Sequence, residues 1–183
     1  MQPGDWLLMQ FGHNDQKQVA AGTGGPFTTY QEEVRRHIAV VRAAGGIPVI
    51  VSPVERRRFD ENGKFVPSLS EYAEASRRAA AEAGVAFVDL NAMSIPFYEA
   101  LGPEKSALAF AAPGGKVDNT HHNAYGAYEL AKGVAQAARA QKLGFARFLA
   151  PDFTGFDPAR PDPVADFTLP PDPVVTNVRP LGD

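Results

Sequence analysis

The chain has 183 residues, 44% of them hydrophobic and 21% charged, with a formal net charge of −3. That size and balance suit one soluble globular domain with a sizeable core, and leave no basic field to draw nucleic acid. The absence of cysteine excludes disulfides and thiol catalysis, no run approaches the about 18 apolar residues of a membrane span, and Met1-Gln2-Pro3-Gly4-Asp5 lacks the positive region of a signal peptide.

The first apolar run, residues 6–11, is bounded by turn residues, which suits a strand buried on both faces of a parallel sheet. A Gly/Thr-rich loop follows, from Ala21 to Pro26. Thr29-x-x-Glu32 has the spacing of a capping box. The helix it opens carries Tyr30, Val34, Ile38 and Val41 on one face, and ends at Gly45-Gly46. Ile47 to Val51 reads as the next strand, ending at Ser52-Pro53. The run Arg56-Arg57-Arg58, beside Asp60 and Glu61, reads as a solvated loop. Asn62-Gly63 signals a short hairpin turn within 59–66. Ser68-x-x-Glu71 caps a second helix that Gly84 terminates. Val85 to Asp89 is a third strand. Residues 92–110 read as short helices broken at Pro96 and Gly102-Pro103. After a loop from Ala111 to Thr120, Asn123 caps a final helix to about Lys142, with Leu130, Val134 and Ala138 on its apolar face.

Strands alternating with helices imply a parallel, layered α/β sheet over residues 1–149. From residue 150 on, Pro151, Pro158, Pro161, Pro163, Pro170, Pro171, Pro173 and Pro180 crowd the chain. Residues 150–183 therefore read as an extended tail wrapping the surface.

Sites in such folds lie at the carboxyl ends of the strands. Gly12 to Asn14, Ser52 and Asp89 to Asn91 all fall there. Two of the chain's motifs suit ester cleavage, which needs a nucleophile, a base and donors for the oxyanion. Asp118 and His121 stand three apart before a helix, so a tight turn brings the carboxylate to the imidazole. The carboxylate then fixes the tautomer and leaves the far ring nitrogen for a hydroxyl. Asn14 follows a strand, with Gly12 permitting close backbone approach, and an amide there can serve as an oxyanion donor.

This pair of motifs resembles the SGNH (GDSL) hydrolase superfamily. Gly12-x-Asn14-Asp15 is similar to its third sequence block and Asp118-x-x-His121 to its fifth. The run from Gly4 to Asp15, the Asp-x-Thr-His form at 118–121 and Ser52-Pro53-Val54 most resemble the rhamnogalacturonan acetylesterase branch. The resemblance covers roughly residues 4–142. It implies a three-layer α/β/α, flavodoxin-like SGNH fold, with His121 as base, Asp118 orienting it, and Asn14 with Gly12 on the oxyanion side. It implies no cofactor, and a carbohydrate ester or other small acyl ester as substrate. The family's first block, Gly-Asp-Ser, and its second, which supplies a glycine N–H, do not occur in these 183 residues. The resemblance therefore also implies a sheet truncated at its N-terminal strands.

Alternatives stay open at this point. Ser52 is the best-placed substitute nucleophile, although it lacks the glycine neighbours of a nucleophile elbow and also suits a turn before Pro53. His13 and His122 suit packing or the substrate edge, and no ligand spacing supports a metal site. A catalytically empty remnant, serving in carbohydrate binding or assembly, is the alternative to an esterase. With the first strands absent, Trp6–Phe11 is expected to be an exposed apolar edge. It would pair with a second copy, giving a homodimer, or with the tail segment Asp172 to Arg179. The compartment is left open by the sequence.

Overall fold

A computed structural model of the chain describes residues 1–168. Three parallel strands, β1 (Trp6–Gln10), β2 (Ile47–Val51) and β3 (Ala86–Val88), stand in the order β1-β2-β3. Leu8 faces Val49 across the first ladder, and Val51 faces Val88 across the second. Five helices accompany them: α1 (Gln16–Ala20), α2 (Gln31–Ala43), α3 (Ser70–Ala83), α4 (Leu90–Lys105) and α5 (Ala124–Ala140).

Side-chain alternation along the strands divides the core in two. Met9 and Ile50 point to one face, where Val34, Ile38 and Val41 of α2 meet Tyr72, Ala75 and Ala79 of α3. Val49, Val51 and Val88 point to the other, where Phe97 and Tyr98 of α4 meet Tyr125, Leu130 and Ala137 of α5. The result is the expected α/β/α layering, and the expected buried face of α2 is the one observed.

Several local expectations need correction. β1 is not buried on both faces: Met9 is covered, but Leu7 and Leu8 are 37% and 39% exposed. Among the described residues β1 pairs only with β2, so helical cover reaches one of its faces and only its first residue on the other. The tail segment Asp172 to Arg179 lies outside the described residues. Thr29 does not cap α2, because the chain already winds through a π turn, Pro26–Tyr30, before that helix begins. Its hydroxyl bonds Gln18 Oε1 and accepts from the Gly25 N–H instead. Pro96 does not break α4: fully buried Phe97 and Tyr98 hold the helix through the missing N–H, and the break falls at Gly102, where φ is 71°.

Ser68 is likewise not the cap of α3. The first turn of α3 carries no side-chain cap, and just ahead of it stands Glu55, whose side chain is wholly buried. Its carboxylate accepts from the Ser68 N–H (2.8 Å), the Ser68 hydroxyl (2.9 Å), the Leu69 N–H (3.1 Å) and Asn91 Nδ2 (3.0 Å). An anion just before a helix start is favoured by the unpaired N–H groups and the helix dipole. The Asn62-Gly63 turn is present, closed by Asp60 Oδ1 accepting from Asn62 N and Lys64 N. Asn123 does cap α5, accepting from Gly126 N at 3.1 Å.

The described part of the tail runs over α5. Arg139 donates to the carbonyls of Phe153 and Thr154 (2.9 and 3.0 Å), and Lys132 lies 2.7 Å from both Glu129 and Asp162. One 3-10 turn, Val164–Asp166, interrupts its extended course.

Candidate active site

The loop from Ala111 to His121 is closed at its base. Ala111 N donates to the His121 carbonyl and Asp118 N to the Ala111 carbonyl, both at 2.8 Å. Asn123 Nδ2 ties the same base to the carbonyls of Leu108 (2.8 Å) and Phe110 (3.2 Å). Inside this frame the backbone turns tightly on Asp118. Its Oδ1 accepts from Thr120 N (2.8 Å) and His121 N (3.2 Å), and its Oδ2 meets His121 Nδ1 at 2.6 Å. The hydrogen bond from His121 and the Thr120 N–H hold the Asp118 carboxyl below the usual carboxylate range. An ionised carboxylate only accepts, so Nδ1 carries the proton. The neutral ring then presents the bare lone pair of Nε2, on a side chain that is 76% exposed.

His122 points the other way. Its ring packs on Phe110, with centroids 4.3 Å apart, and its Nε2 lies 2.7 Å from the Tyr98 hydroxyl. That hydroxyl gives its single proton to the Glu55 carbonyl (3.1 Å), so His122 Nε2–H is the donor to the phenol oxygen. Burial, with the neighbouring imidazoles of His13 and His121, pushes His122 down to about 4. Burial and the Arg56 guanidinium hold His13 below its ordinary value as well.

The unfolded His122 ring titrates near 6.5. In the window from 6.5 down to about 4 the unfolded chain therefore binds the extra proton and the folded chain does not. Stability is fully present above that window and falls as pH drops through it, by on the order of 3 kcal/mol from this ring. Melting temperatures measured from about pH 7 to about pH 4.5 should fall steadily, and His122→Phe should flatten the decline. An unchanged slope in that variant would remove His122 as its source.

Asn14 lies in the loop after β1. Its Oδ1 accepts from Lys17 Nζ at 2.9 Å, and its side-chain N–H groups have no partner among the described residues. Gly12 holds φ at 128°, and a Cβ there would stand 3.0 Å from Pro53 Cγ, so backbone geometry and space both require glycine. Ser52 is a different case. It is fully buried, its hydroxyl donates to Asp89 Oδ1 (3.0 Å) and accepts from Asn91 N (2.9 Å). An ester has no access to that oxygen, so the expectation of Ser52 as substitute nucleophile is corrected to a structural role joining β2 to the start of α4.

The fold thus brings Asp118 and His121 into direct contact, sets the Asn14 loop at the same end of the sheet, and withdraws Ser52. The pattern of the GDSL-like lipase/acylhydrolase family matches residues 1–129. The chain belongs to that family. Rhamnogalacturonan acetylesterase RhgT of Bacillus subtilis (strain 168) is 44% identical over 142 residues, 73% of this chain and 60% of that protein. The probable rhamnogalacturonan acetylesterase YesY of the same organism is 36% identical over 140 residues, 76% of this chain and 64% of that protein. The chain thus spans less than two thirds of the length of these relatives. The crystal structure of Bacillus subtilis YxiM shares the fold, with a TM-score of 0.63 at 24% identity, over 78% of this chain and 38% of that one.

Within this GDSL-like frame the arginine run is not a solvated loop. Arg57 N donates to the Asn119 carbonyl (2.9 Å), and its guanidinium reaches Asn119 Oδ1 (2.8 Å), Ser106 Oγ (2.9 Å) and the Pro103 carbonyl. Arg56 reaches Gln16 Oε1 (3.2 Å), the His13 carbonyl (3.0 Å) and Thr120 Oγ1. Only Arg58 faces solvent. The sequence signal was available: the run begins five residues after β2, at the strand ends where α/β sites assemble.

Proposed function

We propose that this chain supplies the oxyanion-binding and acid–base part of an ester hydrolase acting on acetylated carbohydrates or other small acyl esters. The observation that carries the reading is the 2.6 Å bond from His121 Nδ1 to Asp118, which leaves Nε2 as an exposed base. In this reading Nε2 takes the proton from an attacking hydroxyl and returns it to the leaving oxygen. Asp118 holds the ring's orientation and stabilises the imidazolium. The Asn14 amide, with backbone N–H groups near Gly12, receives the oxyanion. The attacking hydroxyl is a serine of the family's Gly-Asp-Ser type where one is supplied, or water. A groove beside the Asn14 loop, about 350 Å³ and lined by Gln16, Val19, Ser68 and Tyr72, offers room for the sugar. The names of the two acetylesterase relatives support the acetyl and carbohydrate parts of the reading.

One observation favours a second reading, a carbohydrate-binding or assembly module. Among the described residues no serine hydroxyl bonds to His121 Nε2. Acetate release from acetylated oligosaccharides, followed by proton NMR, separates the two. The esterase reading expects release that Asp118→Asn suppresses; sugar binding without release supports the second.

The exposed Leu7 and Leu8 edge of β1 is proposed to take a second copy of the chain across a two-fold axis. Sedimentation should then give a dimer that Leu8→Pro, which removes an edge N–H, converts to monomer. A wild-type monomer at all concentrations would contradict this.

A further inference from the structure

The two halves of the proposed site lie on loops about a hundred residues apart in sequence, and each loop is built by its own local bonds. The Asp118–His121 turn is closed by its own N–H groups and by Ala111. The Asn14 loop is closed by Lys17 and by the start of α1. Among the described residues, no hydrogen bond runs directly from residues 11–17 to residues 116–122. A longer route runs from Gln16 Nε2 to the Ser68 carbonyl (2.6 Å) and on through Glu55 and Tyr98 to His122, but a single side chain bridges the two segments directly. Arg56 donates Nε to Gln16 Oε1 (3.2 Å), at the start of α1, and Nη2 to the His13 carbonyl (3.0 Å), in the first loop. With Nη1 it reaches Thr120 Oγ1 in the second.

From this we propose that Arg56 is a positioning residue, which sets the Asn14 donor and the His121 base at a fixed separation. The proposal rests on the reading of Asn14, Asp118 and His121 as the reacting groups. A planar guanidinium suits the task because its donors leave in fixed directions, so three bonds to two loops fix an angle as well as a distance. A lysine ammonium cannot reproduce that fork. The arginine is itself held. Its neighbour Glu55 is anchored at the backbone by Ser94 Oγ (3.0 Å) and Tyr98 Oη (3.1 Å), and at the side chain by the start of α3. Arg57 pins the adjacent backbone to Asn119. The guanidinium therefore extends from a rigid base, and both loops take their places from it. Thr120, between the two site residues 118 and 121, is where this hold reaches the base.

The signature of such a link is that a change in one loop is felt in the other only while Arg56 is present. Gln16→Ala touches neither His121 nor its loop. In the isotopically labelled chain it should shift the Thr120 amide and the His121 imidazole resonances, and in an Arg56→Ala background it should leave them unmoved. Thr120→Val cuts the bond on the other side and should shift the resonances of His13 and Gln16 by the same route. Resonances of Thr120 and His121 that ignore Gln16→Ala, or that respond to it equally without Arg56, overturn the proposal.

The rate arm uses p-nitrophenyl acetate. Arg56→Ala should lower kcat about 30- to 100-fold, as loss of near-attack placement does, with KM changed less than about threefold. Arg56→Lys should not restore the rate, whereas added guanidinium should restore part of it in Arg56→Ala. An Arg56→Ala rate equal to wild type overturns the proposal. A wild-type chain that does not hydrolyse the ester counts against the esterase reading alone, and the resonance arm then decides the role of Arg56.

Discussion

His121→Ala is expected to lower ester hydrolysis by about 10³-fold while leaving the fold intact. The side chain is 76% exposed, so its removal opens no cavity and strands no buried donor. Its one side-chain hydrogen-bond partner among the described residues, Asp118, keeps the N–H groups of Thr120 and of residue 121 through Oδ1, so the turn stays closed. The lost quantity is the lone pair at Nε2. In the proposed mechanism the attacking hydroxyl then keeps its proton, and the leaving oxygen receives none. Hydrolysis of p-nitrophenyl acetate checks the rate, and an unchanged melting temperature checks the fold. A variant with the wild-type rate would take His121 out of the chemistry.

The second large effect falls on stability. Glu55→Ala should cost about 4 kcal/mol, because it strands several buried donors at once. The carboxylate serves two backbone N–H groups at the start of α3, the Ser68 hydroxyl and the Asn91 amide, in a place with no solvent access. A buried carboxylate is tolerable only because these donors replace its water. Glu55→Gln keeps the shape but turns an NH₂ group toward donors, so it should recover only part of the loss. Urea denaturation measures both. A cost below about 1 kcal/mol for the alanine variant would mean that water or a rearranged Ser68 takes over the site. Since a domain is stable by only about 5–15 kcal/mol, the alanine variant should be visibly less stable at ordinary temperatures.

The layered sheet was legible in the sequence because short apolar runs alternate with helices of period 3.6, the first two of which end at Gly45-Gly46 and Gly84. The Asp118–His121 contact was legible because three residues before a capped helix leave a tight turn as the route between them. Those signals are local. The capping boxes at Thr29 and Ser68 failed because each spacing was satisfied by a competitor distant in sequence or by prior winding: Gln18 and the π turn for Thr29, Glu55 for Ser68. Ser52 failed in the same way, since a strand-end serine looks alike whether its hydroxyl faces solvent or Asp89. The arginines were misread because charge beside Asp60 and Glu61 suggests solvent, whereas Arg56 and Arg57 find carbonyl, amide and hydroxyl partners on loops brought near only by the fold. Tyr98 joins His122 to Glu55 by the same kind of long-range bond, which no spacing announces.

The most direct test of the shared site is the steady-state rate of p-nitrophenyl acetate hydrolysis by the wild-type chain beside that of the Asn14→Ala/His121→Ala double variant. A base and an oxyanion donor acting on one ester predict a wild-type rate above buffer that falls to the buffer level in the double variant. Equal rates for the two proteins would contradict it.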